Sequence, residues 1–219
     1  MSVLSSLPPV HEQAERLVAL GLDRLVGVDA DELHRASDGA PPDALLAVHP
    51  RRAPASVLTG LLRWRDKAGF VVSDMTDVDE FTPIPESETP STDVYLVTDL
   101  ERGDAMSNWS PDEALPAIVG AGRTPLLLTE GIHWLLQRPD VLERNSCFMT
   151  IGSRRRKDAR RLDARTPAIW ISNGTGRDGA AHRDAPKVGW CWAGNRHTWL
   201  GFASASRRLP LPTAGAVGA

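Results

Sequence analysis

The sequence has little that would staple a small or secreted fold. Only two cysteines, Cys147 and Cys191, stand in 219 residues, which excludes a disulfide-built miniprotein. No apolar run approaches the ~20 residues of a membrane span. The longest are short, such as Leu126–Leu128 and Ile132–Leu136, the latter interrupted by His133. Met1–Pro9 offers neither a basic stretch nor a long apolar one, so no secretory leader is expected there. A cytoplasmic location with reduced thiols is the expectation, with no membrane partner. Internal repeats are absent, and no motif by itself assigns a reaction. What remains, 42% hydrophobic and 24% charged residues, is ordinary for a globular chain long enough to bury a full core.

The charge is unevenly spread. Gly152–Arg208 carries 13 Lys/Arg against 4 Asp/Glu, and the rest of the chain 12 against 24, so a net charge of −3 hides an acidic front and a basic back. Four of the seven tryptophans, Trp170, Trp190, Trp192 and Trp199, lie in the basic part. Hydrophobic spacing predicts a helix over Val10–Leu20 and a short one capped by Asp29. Ala44–Val48 and Phe70–Ser73 read as strands joined by a helix over Pro54–Leu62, a unit that favours a parallel pair. Val94–Thr98 is a third strand. Ser110-Pro111-Asp112-Glu113 is a helix start with a capping box, and Pro116 is expected to kink or shorten that helix. Thr129–Gln137 is a further helix. Cys147–Ile151, Pro167–Ser172, Val188–Trp192 and Thr198–Ala203 are short β-like runs, the last two expected to form a hairpin around Gly194-Asn195.

The expected fold is therefore α+β: an α/β front half holding a short parallel strand pair, and an antiparallel β-rich C-terminal third. The organisation divides into 1–146, acidic and mixed α/β; 147–208, basic and tryptophan-rich; and 209–219, a disordered tail. The first two parts are expected to form one compact domain.

Cys147-Phe148-Met149, the basic run Gly152–Lys157, Asp163–Pro167 and Trp190–Gly201, taken with Phe70–Asp77 and Asn108–Glu113, resemble an uncharacterised family of actinobacterial proteins. The resemblance covers nearly the whole chain. It brings no activity with it and implies a bacterial, cytoplasmic protein.

Several residue sets carry possible chemistry. Gly174-Thr175-Gly176-Arg177-Asp178-Gly179 matches G-x-G-x-x-G, but a strand follows too soon for the helix a dinucleotide fold needs, so a glycine-rich turn is the better reading. The basic run Arg154–Arg165 suits phosphates, with solvent or an anionic partner as its expected neighbour and the acidic front as an intramolecular alternative. Nucleic acid is disfavoured by the overall acidity. If the three front strands were parallel neighbours, His49, Asp74 and Asp99 would meet at one sheet edge, where they could serve a hydrolase or lyase, with Mg²⁺ as a possible ligand. Cys147, His182, Cys191 and His197 form a weak zinc-like set without a C-x-x-C pair, and no metal site is assigned. Cys191 and His197 are conceivable as a nucleophile pair, though a core cysteine is favoured. The leading expectation is a binding protein for an anionic or aromatic, nucleotide-like molecule held by Arg177, Arg183, Trp190, Trp192, Arg196 and His197. A protein-interaction module is the third possibility. No cofactor follows from these residues.

Overall fold

The computed structural model describes residues 6–159 and 161–211. Helix α1 (Val10–Ala19) buries Val10, Gln13, Ala14 and Leu17, the stripe expected of helical periodicity. Two short helices follow, α2 (Leu22–Val26) and α3 (Ala30–Arg35), the second capped by the Asp29 carboxylate, which accepts from the Asp31 N–H at 2.9 Å. Helix α4 spans Ala55–Leu61 and α5 spans Pro111–Gly120. The capping box forms as the sequence predicts: Ser110 Oγ accepts from the Glu113 N–H and the Glu113 carboxylate accepts from the Ser110 N–H. Pro116 lies inside α5 without ending it. Helix α6 (Leu128–Gln137) is buried along its whole length.

Eight strands build the two larger sheets. They are β1 (Leu45–Val48), β2 (Phe70–Val71), β3 (Val94–Thr98), β4 (Cys147–Met149), β5 (Arg165–Ile171), β6 (Pro186–Trp192), β7 (Leu200–Phe202) and β8 (Arg207–Pro210). The first sheet runs β1-β3-β8 and is antiparallel throughout. The second runs β7-β4-β5-β6-β2, antiparallel in the middle and parallel at both edges. The fold is α+β, with mixed sheets.

The topology corrects three expectations. Ala44–Val48 and Phe70–Ser73 do not pair: β1 lies antiparallel to β3, and β2 runs parallel to β6 in the other sheet. The chain leaves α4 through a tight Arg63–Trp64/Lys67–Ala68 ladder that turns on Arg65 at φ 54°, so no crossover back to β1 forms. Gly69 follows it, and a Cβ there would lie 2.5 Å from the Thr59 carbonyl oxygen, so only glycine lets the backbone pass the end of α4. The expected hairpin between Val188–Trp192 and Thr198–Ala203 is also absent. Both edges of β6 are occupied, by β5 and β2, and β7 takes the free edge of β4 instead. The expected tail begins too early, because Leu209 and Pro210 pair with Leu96 and Tyr95 in β8; residues 212–219 lie outside the described residues.

One apolar cluster runs from Val10 through Leu45, Leu96, Ile132 and Phe148 to Ala205 and so includes residues from both charge halves. At its centre α6 packs against β1 of the first sheet and β5 of the second. Gly131 makes the second contact possible, since a Cβ there would lie 2.7 Å from Thr150 Cγ2 and 3.2 Å from Ile169 Cδ1. No helix among the described residues is long and apolar enough to cross a membrane.

His133 is wholly buried on α6. Its Nδ1 lies 2.8 Å from the Thr129 carbonyl, which can only accept, so Nδ1 carries the proton and the bare Nε2 accepts from the Val48 N–H at 3.2 Å. Burial, only partly offset by that carbonyl and by Glu130, lowers its pKa from 6.5 to about 4. As pH falls the unfolded chain therefore binds the proton first. Stability from neutral His133 is complete above pH 6.5 and drains away toward pH 4, a loss of about 3 kcal/mol. His133→Gln, which keeps an acceptor for Val48, should flatten the decline of the urea midpoint between pH 7 and 5. An equally steep decline in the variant would assign the acid sensitivity to other groups.

Candidate functional site

Alternation fixes what each face of the five-stranded sheet presents. Phe148, Ile169, Ile171 and Val188 point toward α6 and the main core. Cys147, Ala168, Trp170, Lys187, Gly189 and Cys191 share the opposite face. Ala114 and Ile118 of α5 cover part of that face in a second, smaller cluster with Met149, Ala168 and Phe202.

The connection from β6 to β7 crosses this face as a strap. It is bonded to the first turn of α5 and the segment before it: the Asp112 N–H donates to the Ala193 carbonyl at 3.1 Å, the Asn108 N–H to the His197 carbonyl at 3.0 Å, and Ser107 Oγ to the Thr198 carbonyl at 2.7 Å. Arg196 is ion-paired to Glu113. Between strap and sheet lies a cavity of about 440 Å³, within the range of small-molecule sites. Cys147, Ala168, Trp170 and Cys191 line it from the sheet. His197 and Trp199 line it from the strap, their rings stacked at 4.7 Å and 23°. Asn145, Ser146 and Asn173 bring amide and hydroxyl groups from the loops. No Asp, Glu, Lys or Arg is among the described lining residues.

The Trp170 indole lies across Gly189, where a Cβ would come within 2.6 Å of its ring. Lys187 Nζ sits 4.5 Å from the Trp170 ring centroid and is held there by the Asp178 carboxylate at 2.7 Å. The thiols are quiet. Burial, with Cys191 adding to it and Arg102 opposing, pushes Cys147 up to about 12, and burial raises Cys191 as well. Cys191 and His197 do share the cavity. Among the described residues, however, no group of three His, Cys, Asp or Glu could hold a metal ion. His182 stacks on Phe70 at 4.1 Å instead.

The expected ligand residues are only partly gathered. His197 and Trp190 line the cavity. Trp192 packs edge-on to Trp190 at 4.6 Å, is half exposed, and lies outside the cavity lining. Arg196 turns away to Glu113, and exposed Arg183 packs its backbone against Gly174. The side chain of Arg177 lies outside the described residues. Gly174, Gly176 and Gly179 all have positive φ and form turns that lead into β6, as the turn reading of that motif predicts.

His49, Asp74 and Asp99 do not meet. Because β1 and β3 are antiparallel, with Val48 opposite Val94 and Leu45 opposite Val97, His49 and Asp99 sit at opposite ends of the ladder. His49 bonds Thr89 at 2.9 Å, while Asp99 pairs with Arg123 at 2.7 Å. Asp74 lies beside Arg165, which donates to its carbonyl at 3.4 Å.

The basic run meets the acidic front, and the expectation of a solvent-facing loop is corrected for half of it. Arg155 pairs with Glu80 at 2.7 Å, and Arg165 bridges Asp77 at 2.6 Å and Asp163 at 2.9 Å. Hydrogen bonds from Arg165 hold both those aspartates below the usual carboxylate range. Arg154 is buried and donates to the Asp163 carbonyl at 2.8 Å, whereas Arg156 and Lys157 remain exposed.

The sheet order and the strap-covered cavity thus define a mixed α+β domain with one face partly open beneath a loop. The model of a family of unknown function, DUF5701, matches residues 16–211, and the chain belongs to that family. No curated protein and no solved structure matches it.

Thiols this buried should be slow nucleophiles. At pH 7, iodoacetamide should label Cys147 more than about 100-fold more slowly than a free thiol, with Cys191 reacting ahead of it. Labelling of Cys191 faster than a free thiol would instead mark it as activated by His197.

Proposed function

We propose that the chain is a binding protein for a small, planar aromatic molecule, taken into the cavity between the sheet face and the 193–199 strap. The observation that carries this reading is the lining: Trp170 on one side, the stacked His197 and Trp199 on the other, and no ionised side chain among the described lining residues. Such a surface favours a flat ring over a free phosphate or a metal chelate. Asn145 and Asn173 add donors and acceptors able to meet heteroatoms at the ring edge. The arginines expected to take an anionic ligand, Arg183 and Arg196, lie outside the lining, so the aromatic half of the expectation is the better supported. Two free thiols suit the reducing, cytoplasmic setting that the sequence suggests.

Trp199 is more than half exposed, so truncating it leaves the core intact. Indole, quinoline and 2-naphthamide, titrated by saturation-transfer NMR, should show saturable binding. Trp199→Ala should weaken it about tenfold, as the loss of one stacking ring implies, with little change in Tm. Failure of all three to saturate at millimolar concentration would refute the reading.

A further inference from the structure

Behind one end of the cavity lies a buried cation. Arg102 is 3% exposed, yet its guanidinium donates to Ser146 Oγ, and Ser146 is a lining residue. Its other partners are loose. Asp104 Oδ1 is 3.4 Å from Nε and Glu143 Oε1 is 3.4 Å from one terminal nitrogen, and Nε has no hydrogen-bond partner. Both carboxylates are largely in water, 61% and 47% exposed, where solvent screens them, while the guanidinium is not in water.

Arg102 is held there by glycines. A Cβ on Gly103, at φ +77°, would lie 2.0 Å from the Phe202 carbonyl, and one on Gly201 would lie 2.6 Å from the Arg102 carbonyl and 2.7 Å from Asp104 Oδ1. The residues on either side of the β7 edge are thus bare so that Arg102 can sit against it. Its field also reaches the Cys147 thiol, the neighbouring lining residue.

A guanidinium only donates, so Ser146 Oγ must accept from it, and the serine hydroxyl hydrogen is left free for something else. We propose that the ligand is a planar aromatic acid, its ring between Trp170 and Trp199 and its carboxylate accepting from the Ser146 hydroxyl, with Arg102 supplying positive charge from behind. This rests on the aromatic reading of the cavity and adds the polarity of one end. It also locates the anion preference expected of the sequence in a residue far from the arginine-rich segment. Ser146 touches the ligand; Arg102 is a positioning residue that acts through it.

Isothermal titration with 2-naphthoate and 2-naphthamide separates the two claims, since the two probes share a ring and differ in charge. The carboxylate should bind at least about tenfold more tightly than the amide to the native chain. In Ser146→Ala that preference should collapse toward unity with the amide hardly affected. A ratio near one in the native chain, or one that survives in Ser146→Ala, overturns the carboxylate assignment while leaving the aromatic cavity standing. Should the variant fail to fold, the native ratio alone decides. Absence of binding by either probe overturns both.

Discussion

A helix enclosed by protein on every side can find partners for its polar groups only in protein, and α6 is such a helix: Glu130, His133 and the Gln137 side-chain N–H find them, while Thr129 Oγ1 and Gln137 Oε1 have none among the described residues. All ten of its residues are buried, among them Glu130, His133 and Gln137. Glu130 accepts from Arg208 at 2.6 and 2.8 Å, from the Tyr95 hydroxyl at 2.9 Å and from the Leu127 N–H at 2.8 Å, so one carboxylate joins β3, β8 and the start of its own helix. Gln137 donates to the Gln13 carbonyl, and the Gln13 side chain in turn meets the Ala44 carbonyl and the Leu46 N–H. Removing one partner from a buried ion pair typically costs roughly 3–5 kcal/mol, because the other charge is left without water. The partners of α6 therefore dictate where the surrounding strands lie as much as the apolar packing does.

The cavity inherits its position from this arrangement. The side of the second sheet that meets α6 is committed to the core. The opposite side needs its own cover, and α5 supplies part of it through Ala114 and Ile118. The remainder is left to seven residues that must also carry the chain from β6 to the far edge at β7. The connection turns at Trp192–Asn195 and again at His197–Leu200, forms no helix, and buries only Ala193. It covers the sheet at a distance, and the space beneath is the cavity.

Local elements were legible in the sequence because their signals are local. The Asp29 cap, the Ser110–Glu113 box and the strand at Val94–Thr98 each depend on a few consecutive residues. Pairing was less legible. Nothing near Phe70 indicates that its neighbour is Lys187, and a strand–helix–strand spacing points to β1 until the Arg63–Ala68 turn is seen. The candidate site suffered for the same reason. Trp190 and His197 were within reach of a reading based on the basic, tryptophan-rich segment. That Trp170 and Cys147 share a face, with Ser146 in the loop beside them, was not, because it depends on the order β7-β4-β5-β6. Arg102 carried no signal at all beyond its two flanking residues, one of them the glycine that lets it approach β7.

The carboxylate in α6 finds its charge partner in β8, almost at the end of the described chain. During synthesis the central helix emerges well before Arg208 does. Until that residue arrives, the Glu130 carboxylate has no Arg208 to pair with in the core. Non-local closures of this kind slow folding, since the loop entropy is lost before the contact rewards it. The chain consequently has a built-in order of assembly: the helix that organises both sheets becomes fully compatible with burial only when the last strand docks, and a nascent or truncated chain lacking that strand should remain open, its central helix still wet.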